Sequence, residues 1–129
     1  MDADDAPGAD ALVVTVTRNK RAVAEQTIPH LKARTRRPFR YAVVANGDLD
    51  SGDWLLANRA SGWFDHLAVV SDNLGVGPAY NLFWRHAVRF NRRLKYVVKM
   101  DDSNVPARAD WLDELIALAD YYGPRAGMI

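Results

Sequence analysis

The chain has 129 residues, 49% of them hydrophobic, which is enough for one folded domain with a buried core. Its 17 basic and 16 acidic residues give a formal net charge of +1, so there is no general electrostatic attraction for nucleic acid or an anionic membrane. The absence of cysteine excludes disulfides, zinc–thiolate sites and thiol nucleophiles.

Residues 1–10 are acidic and rich in Ala, Gly and Pro, which predicts a disordered leader before a single domain at residues 11–129. The leader lacks the basic-then-apolar order of a signal peptide, and no apolar run approaches the ~20 residues that span a bilayer. We therefore expect a cytoplasmic protein without a transmembrane segment. Any contact with a membrane would be peripheral, through a partner or a further part of the protein.

Short apolar runs, each typical of a buried strand, alternate along the chain with segments of helical pattern. The four strands are predicted at 12–16, 41–45, 66–70 and 96–100. Helices are predicted after each of them, with the N-caps Asn19, Asp53 and Asp110 and an apolar stripe at Ala79, Leu82, Phe83, Ala87 and Phe90. This alternation predicts a Rossmann-like α/β fold, a mainly parallel sheet with helices on both faces.

Two features of this pattern stay open. The first helical pattern has its apolar stripe at Ala24, Thr27, Ile28 and Leu31. Pro29 lies inside that pattern, so the helix is either kinked there or ends early. The segment Ala126–Ile129 has the pattern of a fifth strand that is only beginning.

Polar loops follow all four predicted strands, and the carboxyl ends of parallel strands meet at one edge of the sheet. The loops are 17–20 (TRNK), 46–52 (NGDLDSG), 71–77 (SDNLGVG) and 101–104 (DDSN). Open α/β sheets bind ligands at that edge, so we expect a site built from these loops.

The adjacent acids Asp101 and Asp102 at the end of the fourth strand offer the hard oxygen ligands that Mg²⁺ or Mn²⁺ prefers. A metal held there can also bind a diphosphate and stabilise its departure. The spacing alone equally allows both acids to cap the turn. Arg18, Lys20 and Arg21 either neutralise phosphate or lie in a solvated loop.

Several segments match, in order, the motifs of one large family. They are VVTVTRNK at 13–20, ANGDLD at 45–50 for a D-N-G-S-x-D motif, NLGVGPAYN at 73–81 for N-x-G-x-x-x-A-x-N, the DDSN turn for D-x-D, the W-L-x-x-L helix start at 111–115, and the tail PRAGMI. In this order they resemble the N-terminal, donor-binding half of the inverting family 2 glycosyltransferases, which have the GT-A fold.

The resemblance implies a UDP- or GDP-sugar donor, a divalent metal (Mg²⁺ or Mn²⁺) and transfer of a hexose-type sugar to a hydroxyl of a glycan or glycolipid. It implies contacts to the nucleotide sugar from Thr17, Asn19, Asn46, Gly47, Asp48, Asn73, Gly75, Asn81 and Asp101, with Asp101 and Asp102 as metal ligands. The catalytic base of the family lies in a further, acceptor-binding part, so no residue here is assigned that role.

This chain departs from the family pattern at two places. Ala45 stands where the family has an acid at the end of the second strand. The second acid of D-x-D is missing whether the motif begins at Asp101 or at Asp102; because Asp102 belongs to both alignments, it is the best single candidate for a ligand. These departures also favour an alternative, a catalytically inactive nucleotide-binding or interaction module with the same fold.

Two other classes of enzyme fit less well. A dinucleotide-binding oxidoreductase would have its glycine fingerprint after the first strand, and Tyr80 stands where the third glycine is needed after Gly75 and Gly77. An aspartyl phosphotransferase would need its acids after the first strand, where this chain has Thr17-Arg18-Asn19.

Overall fold

The computed structural model describes residues 9–90 and 94–123, without the side chains of residues 86–90. Strands and helices alternate along these residues. They are β1 (Ala11–Thr17), α1 (Arg21–Thr27), β2 (Arg40–Asn46), α2 (Leu49–Ala57), β3 (His66–Val70), α3 (Val76–Phe90), β4 (Tyr96–Lys99) and α4 (Trp111–Tyr122). The fifth strand predicted at Ala126–Ile129 and residues 1–8 of the predicted leader lie outside the described residues.

The four strands form one parallel sheet in the order β3-β2-β1-β4. β1 and β2 lie in the middle and are buried along almost their whole length, whereas β3 and β4 lie at the edges and are half-buried. Each strand begins and ends within one residue of its predicted bounds. The predicted α/β class with a parallel sheet is confirmed.

Helices cover both faces of the sheet, as expected for alternating strand residues that point to opposite faces. On one face, α1, α2 and α4 pack their buried side chains against Val13 and Val43. On the other, Ala79 and Tyr80 of α3 pack against a cluster that includes Val14. Burying one such aliphatic side chain contributes roughly 1.5–3 kcal/mol, so these two clusters supply the main stabilisation of the domain.

The first helix begins later and ends earlier than its apolar pattern suggested. Asn19 is not its N-cap: the residue adopts a left-handed conformation at φ 57°, and Lys20 precedes the helix without a side-chain capping bond. The helix ends at Thr27 and a 3-10 turn at Ile28–His30 follows. Pro29 therefore ends the α-helix, because proline has no N–H to donate and its ring clashes with the preceding turn.

The second helix begins earlier than predicted, because its cap is Asp48 and not Asp53. Asp48 has extended backbone angles, and its side chain accepts a hydrogen bond from the Ser51 N–H in the first turn. Asp110 does precede the last helix at the N-cap position, as predicted, but its carboxylate accepts from Arg108 and makes no capping bond. One further expectation needs correction, because Leu82 of the predicted sheet-facing stripe is 41% exposed.

Two residues of the predicted leader belong to the packed part of the chain. Ala9 is buried, and the carbonyl of Asp10 accepts from the N–H groups of Lys95 and Tyr96 at the start of β4. The Asp10 carboxylate also forms an ion pair with Arg37 at 2.8 Å. None of the helices within residues 9–90 and 94–123 is both long and apolar enough to cross a membrane.

Candidate functional site

The loops after the four strands meet at the carboxyl edge of the sheet, and hydrogen bonds connect them. Thr17 at the end of β1 contacts Asp102 after β4, and Asn46 at the end of β2 contacts Asn73 after β3. The N–H of Asn19 donates to Asp48, which joins the β1 loop to the β2 loop. The structure thus brings together the loops that the sequence assigned to one site.

Asp102 is buried, with 4% of its surface exposed, whereas Asp101 is exposed. The Thr17 hydroxyl donates to Oδ2 of Asp102 at 2.9 Å, and the Thr27 hydroxyl donates to the Asp102 carbonyl oxygen at 2.7 Å. Asp102 is therefore held by both its side chain and its backbone. Asp101 is tethered more loosely, by a 3.3 Å bond from the Ser103 N–H.

The two carboxyl groups influence each other directly. Burial, together with the hydrogen bond to Asp101, raises the pKa of Asp102 above its usual range. The same hydrogen bond, together with one from the Ser103 N–H, lowers the pKa of Asp101. The Lys20 ammonium favours the charged form of both acids, which adds to the lowering of the pKa at Asp101 and opposes the larger effect of burial at Asp102. A bound cation would act in the same direction.

This donor set fits a metal that is shared with a diphosphate. Among the described residues there is no group of three or more His, Asp or Glu side chains that could hold a metal alone. However, Mg²⁺ and the similar Mn²⁺ commonly take only one or two carboxylates from the protein and complete their coordination with phosphate oxygens and water. The Asp101–Asp102 pair meets that requirement.

Asp48 was predicted to contact the nucleotide sugar, which stays a prediction; in the structure its carboxylate has two partners within the protein. It is 7% exposed, and its two oxygens accept from the Asn19 N–H at 2.8 Å and the Ser51 N–H at 3.1 Å. Burial alone would raise the pKa of Asp48; the hydrogen bonds from Ser51 and Asn19 outweigh it and lower that pKa. Asp48 therefore fixes the shape of two loops.

Asn46 and Asn73 lock the loop after β3 against the end of β2. The buried Asn46 amide donates to Oδ1 of Asn73 at 3.0 Å and accepts from the Leu74 N–H at 2.9 Å. The same Asn73 oxygen accepts from the Gly75 N–H at 3.0 Å. This network gives the loop at Asn73–Gly75 one defined shape at the carboxyl ends of the strands, the same side of the sheet on which the acids lie.

Gly47 and Gly75 both adopt positive φ angles, +68° and +85°, which glycine tolerates best. At Gly47 there is also no space for a side chain, because a Cβ atom would lie 2.7 Å from the backbone nitrogen of Asn73. Asn81, the remaining candidate, lies half-buried on α3. Within the described part of the chain it makes no hydrogen bond to Asn46 or Asn73.

The basic residues after β1 divide into two kinds. Arg18 and Lys20 are exposed. Arg21 forms exposed ion pairs with Glu25 at 2.9 Å and Asp50 at 2.8 Å, and its guanidinium lies 5.8 Å from the centre of the Trp54 ring. Arg21 is thus engaged on the protein surface, whereas the charge of Lys20 acts on both acids of the pair.

Sequence reasoning missed Thr27 and Tyr80. Thr27 was assigned to the apolar stripe of the first helix, yet its hydroxyl bonds to Asp102. The Tyr80 ring lies 5.2 Å from the Lys99 ammonium, and its hydroxyl is 3.5 Å from the Met100 carbonyl. A threonine within an apolar stripe was the one available signal, and it is a weak one.

A parallel sheet of this kind, with helices on both faces and acids after its edge strand, is a fold found among glycosyltransferases. The chain is similar to the mannosyltransferase PcManGT from Pyrobaculum calidifontis, solved in complex with GDP-Man and Mn²⁺, with a TM-score of 0.70 and 18% identity over 92% of this chain and 34% of that one. It is also similar to the structure of S. aureus TarS 1–349, with a TM-score of 0.64 and 17% identity over 88% of this chain and 33% of that one.

These similarities establish the fold, and this chain spans about a third of either structure. No protein-family model matches the sequence. No curated protein matches it significantly either. Membership of family 2 therefore stays a prediction.

Proposed function

We propose that this domain binds a nucleotide-diphosphate sugar through a divalent metal, as the donor-binding part of a family 2-like glycosyltransferase. The observation that supports this most is the chain of hydrogen bonds at the carboxyl ends of the strands, which links the Asp101–Asp102 pair through the loop after β1 to the loops that carry the Asn46–Asn73 network. The similarity in fold to a mannosyltransferase solved with GDP-Man and Mn²⁺ adds to it.

In this proposal Asp101 and Asp102 hold Mg²⁺ or Mn²⁺, and the bound metal supplies positive charge to the departing nucleotide diphosphate. Asp101 offers the exposed carboxylate, and Asp102 offers a carboxylate held in place by Thr17. The loop at Asn73–Gly75 lies against the nucleotide or sugar, and the exposed Lys20 adds charge near the diphosphate.

The proposed donor is a UDP- or GDP-sugar, and the proposed acceptor is a hydroxyl of a glycan or glycolipid. In the family that the sequence resembles, the catalytic base belongs to a further part of the protein, so we assign it to none of the described residues. A cytoplasmic location, with contact to a membrane only through a partner or further sequence, remains a prediction.

Calorimetric titration of the 129-residue chain with GDP, UDP and GDP-mannose tests the proposal directly. We expect binding of one nucleotide series in Mn²⁺ that disappears in EDTA. Asp101→Asn and Asp102→Asn should weaken it by at least about 10-fold, the lower bound seen when even an outer-shell partner of a metal is lost.

Asp53→Asn is the matched control, because Asp53 is an exposed carboxylate within α2 whose neutralisation changes the net charge equally. It should bind like the unaltered chain. Nucleotide binding that is the same with and without metal, or binding of NAD in its place, would contradict the proposal.

A catalytically inactive binding module is the second candidate. It is favoured by the engagement of the buried Asp102 carboxylate with Thr17 and by the absence of a third metal-binding side chain among the described residues. Metal-dependent nucleotide binding without hydrolysis or transfer of the sugar, measured on the longest protein that the gene encodes, would support this module. Turnover would exclude it.

A further inference from the structure

We propose that Thr27, on a helix away from the strand-end loops, is a positioning residue for the metal site and acts through Asp102 together with Thr17. This inference rests on the proposed metal–nucleotide function. It assigns a role to a side chain that is 8% exposed and that the sequence pattern placed in an apolar stripe.

The Thr27 hydroxyl has three carbonyl oxygens within reach and only one hydrogen to donate. Those of its own helix, at Val23 and Ala24, are 3.4 Å and 3.3 Å away, whereas the Asp102 carbonyl is 2.7 Å away. A threonine within a helix normally bonds back to its own helix. Here the shortest bond reaches a residue 75 positions later, so the hydroxyl holds the loop that carries Asp101 and Asp102.

Thr17 and Thr27 hold different parts of Asp102. Thr17 donates to the carboxylate oxygen Oδ2 at 2.9 Å, and Thr27 donates to the backbone carbonyl. Because the carbonyl belongs to the peptide that continues to Ser103, the Thr27 bond also fixes the residue whose N–H donates to Asp101. Losing the Thr27 hydroxyl would therefore loosen both proposed ligands.

The helix that presents Thr27 is itself anchored. Thr27 is the last residue of α1, and the next residue, Ile28, is fully buried in the core beneath the sheet. The hydroxyl position is thus set by core packing and not by a flexible loop. Metal sites depend on such partners, whose loss typically costs about 10–100-fold in metal affinity.

The test is an electron paramagnetic resonance titration in which protein-bound Mn²⁺ is distinguished from free Mn²⁺, without nucleotide and with GDP or UDP. Thr27→Val, which keeps the shape and removes the hydroxyl, should weaken Mn²⁺ binding by about 10-fold or more. Thr27→Ser should restore it, since serine provides the same donor. Should Thr27→Val not fold, Thr27→Ala replaces it in the same titration.

Thr35→Val is the matched control. Thr35 is 9% exposed, its hydroxyl donates to the Leu31 carbonyl at 2.6 Å, and it accepts from the Trp111 indole at 2.8 Å. Removing the Thr35 hydroxyl should lower the thermal stability of the protein, as Thr27→Val also does. It should leave the Mn²⁺ affinity unchanged.

Equal Mn²⁺ affinity in folded Thr27→Val and in the unaltered chain would overturn the role of Thr27 and leave the proposed function standing. Equal weakening in Thr35→Val would also overturn it, because the effect would then follow general destabilisation. An unaltered chain that binds no Mn²⁺, even with GDP or UDP, would overturn both proposals.

Discussion

Replacing Gly47 by alanine tests the tight junction between the end of β2 and the loop after β3. Alanine at φ +68° pays a conformational cost of roughly 1–2 kcal/mol, because its Cβ approaches the carbonyl oxygen. The added Cβ would also lie 2.7 Å from the Asn73 backbone nitrogen. Overpacking of this kind adds about 1–3 kcal/mol, and the Asn46 network resists the movement of Asn73 that would relieve it.

We therefore expect Gly47→Ala to lower the free energy of unfolding by about 2–5 kcal/mol, measured by urea denaturation. Gly62→Ala separates the two contributions. Gly62 has a similar positive φ of +85°, but a Cβ there meets nothing within 4 Å, so only the backbone cost of about 1–2 kcal/mol applies.

The difference between the two variants measures the close contact with Asn73. Equal destabilisation by Gly47→Ala and Gly62→Ala would refute the reasoning, since it would mean that the loop after β3 moves away without cost. Gly47→Ala should in addition weaken nucleotide binding, because the new Cβ would push against the Asn73 backbone and displace the Asn73–Gly75 loop.

Two further predictions concern stability. Gly52→Ala should destabilise by about 1–3 kcal/mol, because its Cβ would lie 2.6 Å from Cγ1 of Val69; in a double-mutant cycle, Val69→Ala should relieve part of that cost, and additive effects would contradict it. Asp48→Asn should cost about 1–3 kcal/mol at pH 7, because an amide oxygen cannot replace both carboxylate acceptors. The pKa of Asp48 is lowered in the fold, so its stabilisation is present above the ordinary value of 3.8 and is lost as the pH falls through the lower folded value. Urea denaturation from pH 7 to pH 3 should show the difference between the two proteins shrinking on acidification, and a constant difference would contradict the assignment.

The strands were predictable because their signal is local. Runs such as 12–16 and 41–45 are short, β-branched and bounded by polar residues, and the structure places strands there within one residue. The parallel arrangement and the shared edge of the four loops follow from the alternation with helices. The place of the candidate site and the position of its two acids after β4 could therefore be predicted from the sequence.

Individual side-chain roles were less predictable, because several residues of one type compete for them. Asn19, Asp48 and Asp53 are all good N-caps, and only the folded loops show that Asp48 caps a helix while it also holds Asn19. In the sequence, an aspartate that is hydrogen-bonded within the protein cannot be distinguished from one that binds a ligand. The partner of Thr27 is 75 residues away, beyond the reach of any local pattern.

The position of β4 in the sheet has a consequence for how the domain assembles. Leu12 of β1 pairs with Arg40 of β2 but also with Val97 of β4, so the loop closed by the second pairing is roughly three times as long. Closing it costs about 1 kcal/mol more in chain entropy, which favours β1 and β2 associating first.

Since β4 leads directly to Asp101, we expect the acids to reach their place in the last step, when β4 pairs with β1 and the Met100 N–H donates to the Val14 carbonyl. A cation bound to those acids would stabilise that last step, so the folding of this edge and the loading of the site would be one coupled equilibrium.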